Sequence, residues 1–251
     1  MILSVNGIRF SYNSHPVLEN ISFRLGCGKV LGVLGVNGAG KSTLLKCLNR
    51  ILKPQDGSVL LEGKNIHQMK RRDIARKIGY LPQKDGDSKL TVFESVLLGR
   101  KPHANWAYTD SDYAIAEDVI IRLGLEHLAH RSMMGLSGGE IQKTAIARAL
   151  AQSPRVLLLD EPTSSLDLKN QIEVMAFVRK IVRENMLAAV ISIHDLNLAV
   201  RFADHFLLMK DKSICASVEK KGLTPEMIRN IYGIDVLIRE VEGYPIVIPL
   251  Q

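Results

Sequence analysis

Residues 35–42 read Gly-Val-Asn-Gly-Ala-Gly-Lys-Ser, and this segment constrains the possible folds of the chain more than any other. The preceding residues 30–34 are all apolar or glycine, as expected of a strand buried on both faces of a parallel sheet. A helical pattern over residues 41–52 follows, closed by Lys53-Pro54. A strand, a glycine-rich turn and a helix in this order predict a phosphate-binding P-loop. A plain glycine turn entering a helix is the alternative, and the flanking elements argue against it.

Each residue type in this P-loop has a physical purpose. Glycine permits positive φ angles, so that successive backbone N–H groups can wrap a phosphate, and the helix N-terminus adds its positive dipole end. Lys41 is expected to reach the β- and γ-phosphates, and the Ser42 hydroxyl is expected to bind Mg²⁺. The predicted nucleotide-binding residues of this segment are Gly35, Val36, Asn37, Gly38, Ala39, Gly40, Lys41, Ser42 and Thr43.

A second apolar segment, residues 156–159, ends in two acids, Asp160 and Glu161. A buried strand explains the apolar part, but nothing structural requires paired carboxylates at its exit. On a strand beside the P-loop, Asp160 would direct its carboxylate to Mg²⁺. Glu161 would point to the other face of the strand and polarise an attacking water. A solvated acidic strand end is the alternative interpretation.

The pattern changes over residues 84–152, where helices dominate. Capping boxes begin at Thr91 and Ser137, and Ile115, Val119 and Leu123 mark one face of a helix between them. Strands are predicted in residues 1–26, 78–81, 156–160 and 188–193, and helices over 168–183, 196–203 and from Thr224 onward. An α/β fold with an inserted helical subdomain of roughly seventy residues follows from this order.

The second capping box stands in the segment Leu136, Ser137, Gly138, Gly139 and Glu140. A serine N-cap is worth about 1 kcal/mol, but glycine costs up to about 1 kcal/mol at a helical position, so two glycines oppose a purely structural purpose. They make sense if the turn presses its backbone against another group. A bare helix N-terminus with a serine hydroxyl is a second phosphate site.

The composition excludes several classes of protein. Of 251 residues, 46% are hydrophobic and 24% charged, which rules out a disordered or collagen-like chain. The net charge of +7 suits an anionic partner, but the basic run at residues 70–72 is explained more simply by a solvated helix face than by nucleic acid. The cysteines Cys27, Cys47 and Cys215 lack paired spacing, which argues against disulfides and a zinc cluster. With no visible secretory signal or apolar span, we expect a soluble intracellular chain.

The order of these motifs resembles the nucleotide-binding subunit of ATP-binding cassette (ABC) transporters over essentially the whole chain. Gln83 matches the Q-loop glutamine, His194 the switch histidine, and Tyr12 the aromatic residue placed against adenine. Ser165 and Asp167 lie in the segment that resembles the D-loop. Lys143 stands where many relatives have arginine and Ser165 where alanine is usual, and neither change removes a phosphate or metal contact.

The resemblance implies one ABC ATPase domain over residues 1–251, with an antiparallel N-terminal β-subdomain, a mostly parallel core sheet and a C-terminal extension from about residue 220. It implies an ATP hydrolase with Glu161, His194 and Gln83 as catalytic residues and Ser42, Gln83 and Asp160 holding Mg²⁺. Two copies would pair head to tail, so that the LSGGE segment of one protomer contacts the ATP of the other. Membrane permease subunits and, indirectly, an external substrate-binding protein would be the other partners, at the cytoplasmic face of the membrane.

Finer similarity to importers of iron–siderophores, haem and cobalamin is found in residues 71–83, 90–103, 194–204, 223–236 and 243–250. Molybdate or tungstate importers, an exporter, a non-transport ABC ATPase and a module that does not hydrolyse ATP remain as alternatives. The substrate itself is not encoded in this chain, because the membrane subunit and the binding protein select it.

Residues 83–103 are the predicted dock for the permease. Residues 85–89 would form a hinge, Val92 and Phe93 would line a groove for a partner helix, and Arg100 and Lys101 would supply cationic contacts at its rim. The alternative is that Val92 and Phe93 pack the core of the helical subdomain.

Overall fold

The computed structural model describes residues 1–83 and 89–250, so residues 85–88 of the predicted hinge lie outside the described part. The strands are β1 (Leu3–Tyr12), β2 (His15–Leu25), β3 (Lys29–Leu34), β4 (Asp56–Leu61), β5 (Lys64–Asn65), β6 (Ile78–Leu81), β7 (Val156–Asp160), β8 (Ala188–Ser192), β9 (His205–Lys210), β10 (Ser213–Glu219), β11 (Val236–Val241) and β12 (Tyr244–Pro249). The α-helices are α1 (Lys41–Leu48), α2 (Arg71–Lys77), α3 (Val92–Leu97), α4 (Asp110–Arg122), α5 (Gly138–Ala151), α6 (Leu168–Glu184), α7 (Leu196–Phe202) and α8 (Pro225–Tyr232). Short 3₁₀ turns at Ile66–Gln68, Leu98–Arg100, Glu126–Leu128, Met133–Gly135 and Lys220–Gly222 complete the described helical segments.

A six-stranded sheet of order β10-β9-β3-β8-β7-β6 forms the centre of the molecule. Its strands run parallel except for β10, which is antiparallel to β9. A four-stranded antiparallel sheet of order β2-β1-β4-β5 lies beside it, and β11 and β12 form a separate hairpin. The mostly parallel core sheet and the antiparallel N-terminal β-subdomain are therefore confirmed.

Strand β3 shows why its sequence is apolar throughout. Val30 and Leu34 pack into the core shared with α5, α6, α7 and α8, whereas Leu31 and Val33 pack into the core shared with α1 and the antiparallel sheet. Successive side chains of a strand alternate between faces, so a strand covered on both sides has no solvent-facing position. The prediction of a doubly buried strand before the P-loop is confirmed.

Two helix predictions need correction. Helix α1 ends at Leu48 rather than near residue 52, because Arg50 takes a left-handed φ of 54° that a helix cannot continue through. In α4 the buried residues are Asp112, Ala116 and Ile120, whereas the predicted face of Ile115, Val119 and Leu123 is only partly buried. The other predicted elements are found within a residue or two of their expected limits.

The predicted composition of the docking groove is also wrong in part. Val92 is fully buried in the core of the helical subdomain, and Phe93 stacks on Tyr113 with ring centroids 6.2 Å apart. Arg100 is buried and donates from Nε to Asp112 Oδ1 at 2.9 Å, so it cannot serve as an exposed rim contact. The alternative interpretation, packing of the helical core, is correct for Val92.

Arg100 and Asp112 form a buried ion pair that is tied to its surroundings by further hydrogen bonds. Arg100 Nη1 also donates to Ala151 O at 2.8 Å, and Asp112 Oδ2 accepts from Thr109 at the start of α4. We expect Asp112→Ala to lower the free energy of unfolding by about 3–5 kcal/mol, because a buried guanidinium would lose its partner. Urea denaturation followed by circular dichroism measures the change.

Asp118→Ala is the matched control, since its carboxylate pairs with Arg122 on the exposed side of the same helix at 2.8 Å, and such pairs contribute less than about 1 kcal/mol. The Thr109 backbone N–H and the Arg100 guanidinium lower the pKa of Asp112 from 3.8 to about 2. The stabilisation of the folded state by ionised Asp112 is therefore fully present above pH 3.8 and is lost as the pH falls through about 2. Equal losses in the two variants would contradict the special role of the buried pair.

Candidate functional site

Several predicted functional residues lie at the carboxyl ends of four strands of the central sheet. The P-loop follows β3, Gln83 follows β6, Asp160 ends β7 and His194 follows β8. The carboxyl ends of parallel strands meet at the same edge, where α/β proteins bind their ligands. Strand β8 lies between β3 and β7 in the sheet. The end of β7 nevertheless lies beside the P-loop, as predicted, because Asp160 accepts a hydrogen bond from Ser42.

The P-loop is held in its shape by close backbone contacts. Gly40 has a φ of 94°, and a Cβ atom there would lie 2.9 Å from Val17 O. Lys41 is buried, and its Nζ donates to Gly35 O at 2.7 Å and to Val36 O at 3.1 Å. Burial lowers the pKa of Lys41, while the carboxylates of Glu161 and Asp160 act in the opposite direction. The ammonium group is thus fixed at the base of the loop that is predicted to bind phosphate.

Asp160 connects β7 to the P-loop helix. Its side chain is almost fully buried, and Oδ1 accepts from Ser42 Oγ at 3.0 Å and from Ser192 Oγ at 2.7 Å. Ser192, at the end of β8, also accepts from the Glu161 backbone N–H at 2.8 Å. The sequence interpretation missed Ser192; the only signal was a polar residue at the end of an apolar segment that leads to His194.

Glu161 stands between two polar side chains. Gln83 Nε2 donates to its Oε2 at 2.7 Å, and His194 Nε2 is hydrogen-bonded to its Oε1. Its backbone has a left-handed φ of 50°, so the chain turns sharply after Asp160. This turn, and not the alternation of a continuing strand, directs the carboxylate into the site. The structure therefore brings the three predicted catalytic residues together.

A cavity of about 510 Å³ lies in front of this group. It is lined by Val17, Asn37, Gly38, Gly40, Lys41, Ser42, Thr43, Gln83, Glu161 and His194. Val17, in β2, was not predicted. Tyr12 lies at the end of β1, is exposed and contacts Phe10 edge-on at 4.8 Å, and it is not part of the described lining.

The LSGGE segment lies away from this cavity. Ser137 caps α5, with its N–H and Oγ donating to Glu140 Oε2 at 2.7 and 2.8 Å, so the capping box is confirmed. Ser137 and Gly138 are exposed. A Cβ atom on Gly138 would come no closer than 3.5 Å to Ser165 O, an ordinary contact. Packing against the described residues therefore does not require glycine there.

Two exposed residues of the predicted D-loop lie next to this helix end. Ser165 contacts the region of Gly138, and Asp167 caps α6 by accepting from the Asn170 backbone N–H at 2.8 Å. Leu166 between them is buried. The D-loop thus faces outward on the side of the molecule that carries the LSGGE segment.

Oxygen atoms dominate the candidate metal site. The Ser42 hydroxyl and the Gln83 amide line the cavity, and the Asp160 carboxylate is within hydrogen-bond distance of Ser42. Hydroxyl, amide and carboxylate oxygens suit a hard cation such as Mg²⁺, which also retains water and substrate phosphates as ligands. Within the described residues, no cluster of three His, Cys, Asp or Glu side chains offers an all-protein metal site.

Comparison with known proteins agrees with this geometry. The family model described as ABC transporter matches residues 18–164, which is more than half of the chain. This chain belongs to the ABC transporter family. It is accordingly an ATP-binding subunit with the ATP hydrolase activity of that family. In residues 1–83 and 89–250, no helix has the length and apolar character needed to cross a membrane.

Three curated relatives match this chain over nearly their whole length. An uncharacterized ABC transporter ATP-binding protein of Methanocaldococcus jannaschii is 48% identical over 250 residues, covering 100% of this chain and 98% of the relative. A petrobactin import ATP-binding protein of Bacillus anthracis is 36% identical, with coverage of 99% and 93%. A hemin import ATP-binding protein of Gloeobacter violaceus is 41% identical, with coverage of 99% and 94%.

Solved structures show the same similarity. A chain of a transporter described as metal-chelate type, in an inward-facing conformation, superimposes with a TM-score of 0.87 at 31% identity, covering 100% of this chain and 97% of that one. A dimeric ATP-binding cassette in a post-hydrolysis state with ADP and Pi gives a TM-score of 0.78 at 26% identity, covering 88% and 100%. The ABC ATPase fold is therefore confirmed.

Proposed function

We propose that this chain is the ATP-hydrolysing subunit of an importer for a metal chelate of the iron–siderophore, haem or cobalamin type. The whole-chain structural similarity to a metal-chelate type transporter carries this proposal. The petrobactin and hemin import relatives, each matched along most of its length, support it. This subunit would bind peripherally, at the cytoplasmic face of the membrane that the permease crosses.

The geometry of the site supports a defined role for each side chain. Lys41 and the backbone N–H groups of the P-loop bind the β- and γ-phosphates. Glu161 accepts the proton of the attacking water, because it is the carboxylate hydrogen-bonded to both Gln83 and His194. Those two partners fix the orientation of the carboxylate and place the water in line with the γ-phosphate.

Ser42, Asp160 and Gln83 are the residues that would hold Mg²⁺. When bound, this ion neutralises charge that develops on the phosphate oxygens. The hydrogen bond of Ser192 to Asp160 keeps the carboxylate pointed toward Ser42.

The exposed LSGGE segment supports a head-to-tail dimer. Its helix N-terminus is suited to phosphate, yet it does not line the cavity of its own chain. Among the described residues, the two glycines at its start have room for a side chain. Close contact of this backbone with a second copy would explain why glycine is present there. Binding of ATP between the two copies would shift the population toward a closed dimer, and hydrolysis would release it.

A groove beside α2 supports docking of the permease. It has a volume of about 710 Å³, and its lining includes Arg71, Arg72, Leu98, Lys101, Trp106 and Gln152. Arg72 fixes the opposite side of the groove by donating to Ala104 O and, at 2.8 Å, to Asn105 Oδ1. Helix α2 leads directly into β6, which ends two residues before Gln83. A helix seated in this groove would therefore act on the strand that leads to Gln83.

Trp106 is the anchor that we expect the permease to use, because its side chain is fully exposed beside the groove. Trp106→Ala should reduce co-purification with the permease at least tenfold, since buried aromatic residues dominate interface energies. ATPase activity of the isolated subunit should be unchanged. Ile121→Ala is the control, because Ile121 is also exposed and apolar but lies on α4, outside the groove. It should not affect co-purification. Wild-type recovery of the permease with Trp106→Ala would exclude this groove as the dock.

ATP-dependent uptake into proteoliposomes tests the proposed substrate class. The complete transporter and its binding protein would be supplied with a ferric siderophore, haem, cobalamin or molybdate. Uptake of any of the three chelates supports the proposal. Uptake of molybdate alone, or outward transport, would replace it with the molybdate importer or the exporter.

A further inference from the structure

Tyr232 contacts the P-loop from the far end of the chain. Its Oη accepts a hydrogen bond from the Gly35 backbone N–H at 3.2 Å, across 197 positions of sequence. Gly35 is buried, and a Cβ atom there would lie 2.5 Å from Met209 O. The carbonyl of the same glycine accepts from Lys41 Nζ at 2.7 Å. The two backbone polar groups of Gly35 thus link the Tyr232 hydroxyl to the Lys41 ammonium.

Helix α8 holds Tyr232 in a defined position. Thr224 caps the helix, and Gly233 ends it with a φ of 72°. Ile228 and Ile231 are buried in the central core, and Lys210 Nζ donates to Asn230 O at 2.6 Å, which ties the helix to β9. The hydroxyl is therefore placed by a packed helix and not by a mobile side chain.

The chemistry of the phenol fits an acceptor role. Burial raises the pKa of Tyr232, so the hydroxyl keeps its proton at neutral pH and accepts through a lone pair. A buried backbone N–H without a partner is costly, and among the described residues the Tyr232 oxygen accepts the hydrogen bond of the Gly35 N–H.

We propose that Tyr232 is a positioning residue of the nucleotide site, which fixes the Gly35 backbone and, through its carbonyl, the Lys41 ammonium. The proposal rests on the proposed role of Lys41 in binding the β- and γ-phosphates. Without the phenol oxygen, the Gly35 N–H must find another acceptor, and the first turn of the P-loop rearranges. The Lys41 ammonium then loses its fixed position relative to the phosphates.

Tyr232→Phe removes only the oxygen and keeps the packed ring. We expect the Kd of the full chain for ATP to rise about 3- to 10-fold, as expected for the loss of one hydrogen bond. Competition with a fluorescent ATP analogue measures this Kd. A purely structural role would lower Tm but leave this Kd unchanged, and that outcome overturns the proposal. Tyr244→Phe is the matched control: its ring lies 4.5 Å from the Arg201 guanidinium, a contact that the substitution keeps.

A double-mutant cycle distinguishes the positioning role of Tyr232 from the phosphate-binding role of Lys41. If Tyr232 acts through Lys41, then Tyr232→Phe should add less than a twofold change in a Lys41→Ala background. An undiminished effect in that background, or equal weakening by Tyr244→Phe, would contradict the positioning role. Wild-type affinity in Lys41→Ala alone would instead contradict the proposed phosphate-binding role of Lys41.

Discussion

Glu161→Gln should reduce ATP turnover by about 10²- to 10⁴-fold, which is the usual contribution of a general base. The amide is nearly isosteric with the carboxylate, but it does not accept a proton at neutral pH. Gln83 and His194 both bond to this carboxylate, and Glu161 is the one acid among the described residues that line the cavity. Release of inorganic phosphate from the purified subunit measures the effect.

Nucleotide affinity of Glu161→Gln should remain within a few-fold of wild type, because Lys41 and the P-loop are unchanged. The trapped ATP should then produce a dimer on gel filtration. Asp195→Asn is a matched control: this carboxylate caps α7 one residue beyond His194, and a neutral amide cap at the same position should leave turnover close to wild type. Wild-type turnover in Glu161→Gln would assign the base to another group, with His194 the next candidate.

Ser137→Arg should lower turnover on the order of a hundredfold while leaving ATP binding intact. The long cation would stand at the α5 N-terminus, where the γ-phosphate of the partner protomer is proposed to bind. Because the cavity of the same chain does not include Ser137, binding by an isolated protomer should survive. Lys41→Ala should instead lose ATP affinity. Equilibrium binding and turnover measured on both variants distinguish the two effects.

Loss of the helix cap must be separated from loss of the shared site. Thr91→Arg removes an equivalent capping box, from α3, and adds the same charge, so it controls for the cost of about 1 kcal/mol in stability. It should retain ATPase activity. If Ser137→Arg and Lys41→Ala lose ATP binding equally, the LSGGE segment does not act across a dimer interface.

Local patterns in the sequence were sufficient to predict the P-loop, the acidic end of β7 and the capping boxes at Thr91 and Ser137. Each depends on residues within a few positions of one another, through strand alternation, a cap or a glycine turn. The convergence of Gln83, Glu161 and His194 also followed from sequence, but only through the family resemblance. Nothing in the residues alone states which strand ends are neighbours.

The tertiary structure decided every feature that depends on the order of strands and on which element covers which face. The insertion of β8 between β3 and β7 makes Ser192 the bridge between Asp160 and Glu161. The packing of α3 against α4 and α5 buries Val92, which the local pattern could equally have exposed. Tyr232 meets Gly35 only because α8 returns to the central sheet. Periodicity shows that a face is covered, whereas contacts between distant residues depend on the covering element, which the local sequence does not identify.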